Sequence, residues 1–408
     1  MKIVVLNSGS SSQKVCLYDL IGQLPDDPPE PLWQGKLEFR EHDATLEVRS
    51  SSGIILEDKL PRGDRSSATT KLLDHLVTGK ARVLDSLSEI GVVGHRIVNG
   101  GRNFNRPVPI TPDVKSTIEK MAVFAPLHNR LELEGIALIE TLCGAVRQVA
   151  VFDTGFHKEL PDAAAIYPGP YAWAEQGIRK FGFHGINHQY CAERSARLLE
   201  RDLGGLKLIT CHLGNGCSLA AISGGRSIDT TMGFTPLEGL MMGTRSGSVD
   251  PGILTFLMRE EKLDGKAVDR ILNSQSGLLG ISGISSDMRE IVASMQGGNQ
   301  RAQLSFDMFV HRLRAGIGSM LASLDGADAI VFSGGIGENS AEVRAAVCSH
   351  LSFVDLELDP AKNDARSADR DIATLESKVR ALVVRAQEDW AIARECWRLG
   401  SNEVPRPV

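Results

Sequence analysis

Short, mostly apolar runs recur along the chain, and most of them end at glycine, serine, asparagine or aspartate. Six such runs cover residues 2–6, 92–98, 149–152, 206–211, 329–332 and 381–384. Runs of this kind are typical of strands that are buried in an α/β sheet. Because ligands of open α/β sheets bind where strands end, the polar residues after these runs are the first candidates for a functional site.

Other patterns complete the predicted elements. Residues 35–57 alternate irregularly and are expected to form antiparallel strands. Four prolines within 25–31 predict a surface loop, since proline suits neither a helix interior nor an inner strand. A strand, a polar glycine-containing turn and a second strand occur over 2–18 and again over 206–222, which indicates two related domains. Helical periodicity is seen over 192–199, 303–324 and 387–399.

Composition narrows the function classes. A chain of 408 residues with 42% hydrophobic and 24% charged residues is long enough for two globular domains. A net charge of −6 argues against a nucleic-acid partner, and the absence of a long apolar stretch argues against a membrane span. The apolar run that ends at Asn7 is too short for a signal peptide. Seven cysteines without a CxxC pair favour a reducing compartment, so we expect a cytoplasmic protein.

Three polar segments in the first half have chemistry suited to anions or metals. Residues 7–14 combine small hydroxyl residues and glycine with Lys14, which suits a phosphate loop or a solvated turn. Arg96 ends an apolar run, where its guanidinium could bind a carboxylate or phosphate, or pair with a structural acid. Asp153 follows the 149–152 run and could hold a metal, orient a cation or form a turn.

The second half contains histidines and glycine-rich turns. His184 is predicted to donate to phosphate and His188 to pack in a helix, because no HExxH glutamate accompanies the pair. Asn215-Gly216 predicts a hairpin, and its neighbouring glycines could cradle an anion. The irregular stretch 233–247 presents Arg245 as a second candidate for anion binding.

The chain resembles the acetate kinase family in seven segments that follow the family's order: VLNSGSSSQK, GHRIVNGG, FDTGFH, KFGFHG, HLGNGCS, DTTMGFTPLEGLMMGTRSG and FSGGIGENS. The resemblance implies an α/β fold with two actin-like, ribonuclease H-like ATPase domains that flank a nucleotide cleft. We expect one domain at 1–150 with 384–408, and the nucleotide-binding domain at 151–383. The resemblance also implies a homodimer.

Roles for individual residues follow from the same resemblance. Asp153, Arg96, Arg245 and His184 would form the catalytic set, in which both arginines clamp the acyl substrate and the transferring phosphoryl group. Asn7 and Glu388 would organise Mg²⁺, with Mn²⁺ as a possible substitute. The substrate methyl would contact Val98, Leu127, Phe183 and Pro236, next to Arg96. ATP would contact Lys14, His212, Asn215, Gly216, Gly334, Gly335, Ile336 and Asn339.

The implied reaction is reversible in-line transfer of a phosphoryl group from ATP to acetate, giving acetyl phosphate and ADP. Val98 favours acetate over propionate, because a smaller residue would leave room for another methylene. Departures from the family pattern at Asn99, at Ile186-Asn187 and at Ser248 bear on fine specificity. The alternatives are another short-chain carboxylate, pyrophosphate as the donor, or an actin-like or chaperone-like nucleotide switch without a carboxylate substrate.

Overall fold

The structure is a computed structural model that describes residues 1–9, 12–39, 43–61, 64–122, 126–367 and 369–401, without the side chains of 126–128. The chain divides into two compact units. The first contains residues 1–155 and the C-terminal segment from 387, and the second contains residues 156–386.

The first unit is built on an eight-stranded sheet. Its strands are β1 (Lys2–Ser8), β2 (Ser12–Asp19), β3 (Trp33–Phe39), β4 (Asp43–Ser50), β5 (Ile55–Pro61), β6 (Ile90–Ile97), β7 (Val108–Pro109) and β8 (Arg147–Phe152). Their order is β5-β4-β3-β2-β1-β6-β8-β7. Strands β1, β6 and β8 are parallel, and β1 to β5 form an antiparallel meander. The antiparallel strands expected within 35–57 are therefore confirmed.

Helices α1 (Arg65–Val77), α2 (Pro112–Met121) and α3 (Pro126–Cys143) accompany this sheet. The side chain of Asp64 accepts a hydrogen bond from Ser67 N and thereby caps α1. Leu72 of α1 is fully buried with Trp33 of β3. A Cβ atom at Gly35 would lie only 2.5 Å from the Trp33 ring and 2.6 Å from Leu72, so glycine permits this packing. Burial of a leucine side chain contributes about 1.5–3 kcal/mol.

The second unit has a six-stranded sheet in the order β11-β10-β9-β12-β14-β13. Its strands are β9 (Lys207–Leu213), β10 (Cys217–Ser223), β11 (Arg226–Thr230), β12 (Ala329–Ser333), β13 (Arg370–Asp371) and β14 (Arg380–Val383). Its helices are α4 (Asp162–Ala165), α5 (Ala172–Glu175), α6 (Gly185–Leu198), α7 (Pro251–Glu260), α8 (Gly265–Ser274), α9 (Gly277–Ser282), α10 (Met288–Gln296), α11 (Gln300–Leu324), α12 (Gly334–Asn339), α13 (Ala341–Cys348) and α14 (Pro360–Asp364). Helix α15 (Glu388–Gly400) belongs to the first unit.

The same five-strand order occurs in both units, as β3-β2-β1-β6-β8 and as β11-β10-β9-β12-β14. In each case three antiparallel strands are continued by two parallel ones. The six apolar runs of the sequence lie in β1, β6, β8, β9, β12 and β14, as predicted. The domain boundary expected between residues 150 and 151 falls inside β8. In the structure, the first unit extends to residue 155 and contains the whole of this strand. Across the described ranges, no helix is both long and apolar enough to cross a bilayer.

Candidate active site

Three predicted residues meet at the carboxyl ends of the parallel strands in the first unit. Asn7 is the second-to-last residue of β1, and Arg96 is the second-to-last residue of β6. Asp153 directly follows β8. Nη2 of Arg96 donates to Oδ2 of Asp153 at 2.5 Å, and Nη1 donates to Oδ1 of Asn7 at 3.4 Å. The Asp153 side chain is 1% exposed and that of Arg96 is 13% exposed. These residues therefore form an ion pair that is largely withdrawn from water.

The charge of Arg96 is maintained by its neighbours. Burial acts to lower the pKa of Arg96, but the nearby carboxylates of Asp153 and Glu388 outweigh burial and raise this pKa. A buried ion pair gains Coulomb energy but loses hydration, so its net contribution is small while the loss of one partner is costly. Arg96 is therefore a permanent cation at the strand ends.

The first turn of α15 adds two acids to this group. Nδ2 of Asn7 donates to Oε2 of Glu388 at 3.2 Å and to Oδ1 of Asp389 at 3.0 Å. Acids at this end of a helix are favoured by the helix dipole. Burial raises the pKa of Asp389 above its ordinary value. Asn7 thus connects the acids of α15 to the guanidinium of Arg96.

Glu132 of α3 is a buried acid that the sequence reasoning missed. Its side chain is 2% exposed, and Oε1 accepts a hydrogen bond from the backbone N–H of Val98 at 3.0 Å. Burial raises the pKa of Glu132 to about 8. The residue shares the buried face of α3 with Ile136 and Ile139, and this helical spacing is the signal that could have found it.

In the second unit, the turn between β9 and β10 is the centre of the other group of candidates. Gly214 N donates to Gly216 O at 3.0 Å, which confirms the predicted hairpin. A Cβ atom at Gly216 would lie 3.3 Å from Nε2 of His184 and 3.4 Å from Nη1 of Arg245. A Cβ atom at Gly214 would lie 3.6 Å from Nε2 of His212. The imidazoles of His184 and His212 and the guanidinium of Arg245 therefore lie close to the backbone of this turn, where the two glycines have no side chains.

His184 and His212 are stacked, with ring centroids 4.1 Å apart and planes inclined by 29°. His184 precedes α6 in a left-handed conformation, with φ 56° and ψ 24°. Such a conformation is unusual for a residue other than glycine and is often found at functional sites. His188, one turn further on, is fully buried, and burial lowers its pKa well below the usual value. His188 is therefore enclosed in the interior, whereas His184 lies against the β9–β10 turn.

The irregular stretch around Arg245 is held by specific contacts. Nη1 of Arg245 donates to Pro236 O at 3.1 Å. The hydroxyl of Tyr167 donates to Glu238 and accepts from Phe234 N, the latter at 2.8 Å. The Tyr167 hydroxyl therefore connects the start of the 233–247 stretch to another segment of the second unit, and the bond from Arg245 joins the end of the stretch to its start.

The remaining predicted nucleotide residues lie near α12. Gly334 has a φ of 79°, and a Cβ atom there would lie 2.9 Å from Leu213 O. This close approach brings the start of α12 against the end of β9. Asn339 donates through Nδ2 to Gly335 O at 2.8 Å. Ile336 lies in the same short helix. Asn215 lies in the β9–β10 turn, where its backbone oxygen accepts a hydrogen bond from Gly243 N at 3.1 Å.

Other predicted residues are distributed between the units. Lys14 is exposed on β2, and Val98 is buried directly after β6, both in the first unit. Phe183 is buried in the second unit, where Pro236 is partly exposed. Leu127 lies in α3, but its side chain is outside the described part of the chain.

A divalent metal fits the chemistry of the first unit. No cluster of three or more histidine, cysteine, aspartate or glutamate side chains suited to a metal occurs among the described residues. Mg²⁺ commonly binds through one or two carboxylates together with waters and the substrate's phosphates. Glu388 and Asp389 supply carboxylate oxygens beside the amide of Asn7, and oxygen ligands of this type suit Mg²⁺ or Mn²⁺.

The sequence profile of the acetokinase family matches residues 2–394. The chain belongs to this family. Among its relatives is an acetate kinase from Cyanothece sp., 54% identical over 401 residues that cover 98% of each chain. An acetate kinase from Nostoc sp. is 55% identical over 406 residues, covering 98% of this chain and 99% of the other.

Two solved structures agree closely with the fold. The acetate kinase of Porphyromonas gingivalis is 38% identical, with a TM-score of 0.89 and coverage of 98% of this chain and 99% of the other. A propionate kinase from Francisella tularensis is 36% identical, with a TM-score of 0.87 and coverage of 97% and 98%. The resemblance carried by the seven sequence segments and the α/β fold class are confirmed by these matches.

Proposed function

We propose that the protein transfers a phosphoryl group between ATP and acetate, giving acetyl phosphate and ADP in a reversible reaction. The observation that carries this proposal is the grouping of His184, His212 and Arg245 around the glycine turn of β9 and β10. Such a grouping offers several N–H donors to phosphate oxygens. The acetate kinases that are 54% and 55% identical to this chain support acetate as the acceptor.

The chemistry requires charge stabilisation more than proton transfer. Acetate is ionised at neutral pH and can attack phosphorus without a general base. The transition state of phosphoryl transfer is loose and spreads negative charge over the equatorial oxygens. In our proposal, Arg245 and His184 stabilise this charge and Arg96 binds the acyl carboxylate. Asp153 is engaged with Arg96, so we assign it an organising role and not that of a base.

We assign the magnesium site to Asn7 and Glu388, with Asp153 and Asp389 beside them. The cation supplies positive charge to the phosphate oxygens when it is bound. The amide of Asn7 holds the two acids of α15 in place. Mn²⁺ has the same preference for oxygen ligands and is expected to substitute.

The acyl group is assigned to the surroundings of Val98. This residue is buried two positions after Arg96, so a carboxylate bound by Arg96 would have its methyl group near an apolar side chain. Phe183, which precedes His184, and Pro236, whose carbonyl binds Arg245, keep their proposed roles as contacts for the substrate. Propionate is the second candidate substrate, because a relative that is 36% identical is a propionate kinase.

The first experiment measures ADP formation from MgATP with acetate, propionate, butyrate or no acid. We expect acetate-dependent turnover that is lost in Arg96→Ala and retained in Arg82→Ala, whose side chain is 53% exposed in the same unit. Hydrolysis of ATP without any acid would support a nucleotide switch instead. Turnover with pyrophosphate but not with ATP would contradict ATP as the donor. A preference for propionate would make propionate, and not acetate, the proposed substrate.

We also propose a cytoplasmic homodimer. All seven cysteines are free thiols, as is typical of reducing compartments. Helix α7 has no fully buried side chain, and Ile253, Phe256 and Met258 are 47%, 51% and 46% exposed, which suits coverage by a second copy. Sedimentation should give a dimer in the wild type and a shift toward monomer in Phe256→Glu. A wild-type monomer at micromolar concentration would contradict the dimer.

A further inference from the structure

The two stacked imidazoles have the same orientation. In each ring, Nδ1 contacts a polar side chain inside the second unit, and Nε2 lies toward the β9–β10 turn. Nδ1 of His212 is 2.9 Å from Nδ2 of Asn187, and Nδ1 of His184 is 2.9 Å from Oγ of Ser218. Asn187 and Ser218 are fully buried. This arrangement determines which nitrogen of each ring can face a ligand.

The contact with Asn187 defines the proton position on His212. In the orientation that the structure gives the Asn187 amide, its NH₂ group contacts Nδ1 of His212 and can only donate, so Nδ1 accepts and carries no proton. A neutral imidazole then carries its single proton on Nε2. The same NH₂ group donates to Oγ of Ser333 at 3.2 Å. Asn187 is thereby anchored to the end of β12 while it holds the ring of His212.

The contact with Ser218 belongs to a chain of hydrogen bonds. Oγ of Ser218 is 2.7 Å from Nε2 of His188, and Nδ1 of His188 is 2.7 Å from Oγ1 of Thr210. The low pKa of His188 keeps this ring neutral, with one proton to donate. In the direction that we assign to this chain, Thr210 donates to Nδ1 of His188 and Nε2 of His188 donates to Ser218. The hydroxyl proton of Ser218 is then available for Nδ1 of His184, and the proton of His184 lies on Nε2.

We propose that Asn187 and Ser218 are positioning residues that hold His212 and His184 with Nδ1 as an acceptor and Nε2–H as a donor at the hairpin turn. The two stacked rings then offer two N–H groups to separate oxygens of one phosphoryl group. This inference rests on the proposed function for the identity of the ligand. The alternative is that both residues only fill the interior, in which case neither ring would have a defined proton position.

The proton positions can be measured without any substrate. Protein labelled with ¹⁵N in histidine would be examined by NMR, with His184→Ala and His212→Ala used to assign the two rings. We expect an unprotonated Nδ1 and a protonated Nε2 in both rings of the wild type. A protonated Nδ1 in either ring would overturn the assignment for that residue. Because no turnover is involved, this result is independent of whether acetate is the substrate.

Kinetics test whether the orientation matters. We expect Ser218→Ala and Asn187→Leu to lower kcat by about tenfold while KM for MgATP changes by less than about threefold, as for other losses of supporting hydrogen bonds. Ser223→Ala, at the far end of β10, serves as the control and should keep wild-type kcat. In a His184→Ala background, Ser218→Ala should have little further effect, since it acts through the missing ring. Multiplied losses in the double variant would overturn the positioning role.

Conservative substitutions guard against misfolding. Thr210→Ser keeps the hydroxyl at the end of the chain and should retain kcat, whereas the similarly shaped Thr210→Val should lose about threefold. Equal kcat values for these two variants would contradict the hydrogen-bonded chain. Asn187→Asp replaces the donor by an acceptor and should move a proton onto Nδ1 of His212. If these variants do not fold, the wild-type NMR measurement alone decides the proposal.

Discussion

The two units have the same strand order but different chemistry at corresponding strand ends. In the first unit the end of β6 carries Arg96, which is held by the carboxylate of Asp153. In the second unit the corresponding strand β12 ends at Ser333, and the nearby rings of His184 and His212 are bound by uncharged partners. In the first unit, the charge of Arg96 depends on its ion pair with Asp153. In the second unit, the N–H donors of His184 and His212 depend on how the two rings are oriented. Substitutions in the two units should therefore affect stability and turnover differently.

The largest effect is expected in turnover and should be similar in both units. Arg96→Ala and Arg245→Ala should each lower kcat/KM for acetate by on the order of 10³-fold, because each removes a cation from the reacting groups. Steady-state ADP formation measures both losses. Arg82→Ala and Arg226→Ala remove exposed arginines from the same units and should keep wild-type kinetics. A loss below about tenfold in either active-site variant would remove that arginine from the catalytic set.

Stability should separate the same two variants. Arg96→Ala leaves the buried carboxylate of Asp153 without its cation and should destabilise the protein by about 3–5 kcal/mol. Arg245 binds a backbone carbonyl and is partly exposed, so Arg245→Ala should cost about 1 kcal/mol. Urea unfolding measures this difference. Asp153→Asn in the Arg96→Ala background should restore part of the stability, and equal unfolding midpoints for Arg96→Ala and Arg245→Ala would contradict the contrast.

Glu132 makes the stability of the first unit depend on pH. Its pKa rises from 4.5 in the unfolded chain to about 8 in the folded protein, so its stabilising contribution is full below pH 4.5 and is lost as pH rises toward 8. Glu132→Gln keeps an acceptor for Val98 N and does not titrate. Relative to this variant, the wild type should lose on the order of 3 kcal/mol between pH 4.5 and 8.

Unfolding in urea at pH 5 and pH 8 tests the effect of Glu132. Glu134→Gln is the matched control, because Glu134 is an exposed acid of the same helix. It should follow the wild type at both values of pH. Parallel pH profiles of the wild type and Glu132→Gln would refute the raised pKa.

The smallest effect concerns substrate choice. Val98→Ala should raise the ratio of kcat/KM for propionate to that for acetate by about tenfold, since one methylene in an apolar pocket is worth about 1–3 kcal/mol. Asn339→Ala in the second unit should change KM for ATP without changing this ratio. An altered acid preference in Asn339→Ala, or an unaltered one in Val98→Ala, would break the assignment of acyl selectivity to the first unit.

The sequence predicts best those features that depend on local patterns. Apolar runs located the strands that deliver Asn7, Arg96 and Asp153, because burial on both faces requires continuous apolar sequence. The Asn215-Gly216 pair located the hairpin turn for an equally local reason. The assigned roles of these residues remain predictions until the variants are measured.

Contacts between distant segments were not predictable in the same way. Ser218 meets two histidines 30 and 34 residues earlier in the chain, and Asn187 meets His212 across 25 residues. No local pattern encodes such pairs, because helix α6 must first pack beside β9. Glu132 was missed because an acid in a helix is usually solvated, and only its spacing from apolar neighbours indicated burial.

The left-handed backbone of His184 makes folding and activity compete at one position. A residue with a Cβ atom is strained there, whereas glycine is not. Replacement by glycine would relieve the strain and remove the imidazole in the same step. The result would be a protein that resists urea better than its His184→Ala counterpart yet turns over no faster. A screen for stability alone would therefore favour glycine over alanine at this position, although neither residue supplies the imidazole that we propose for the reaction.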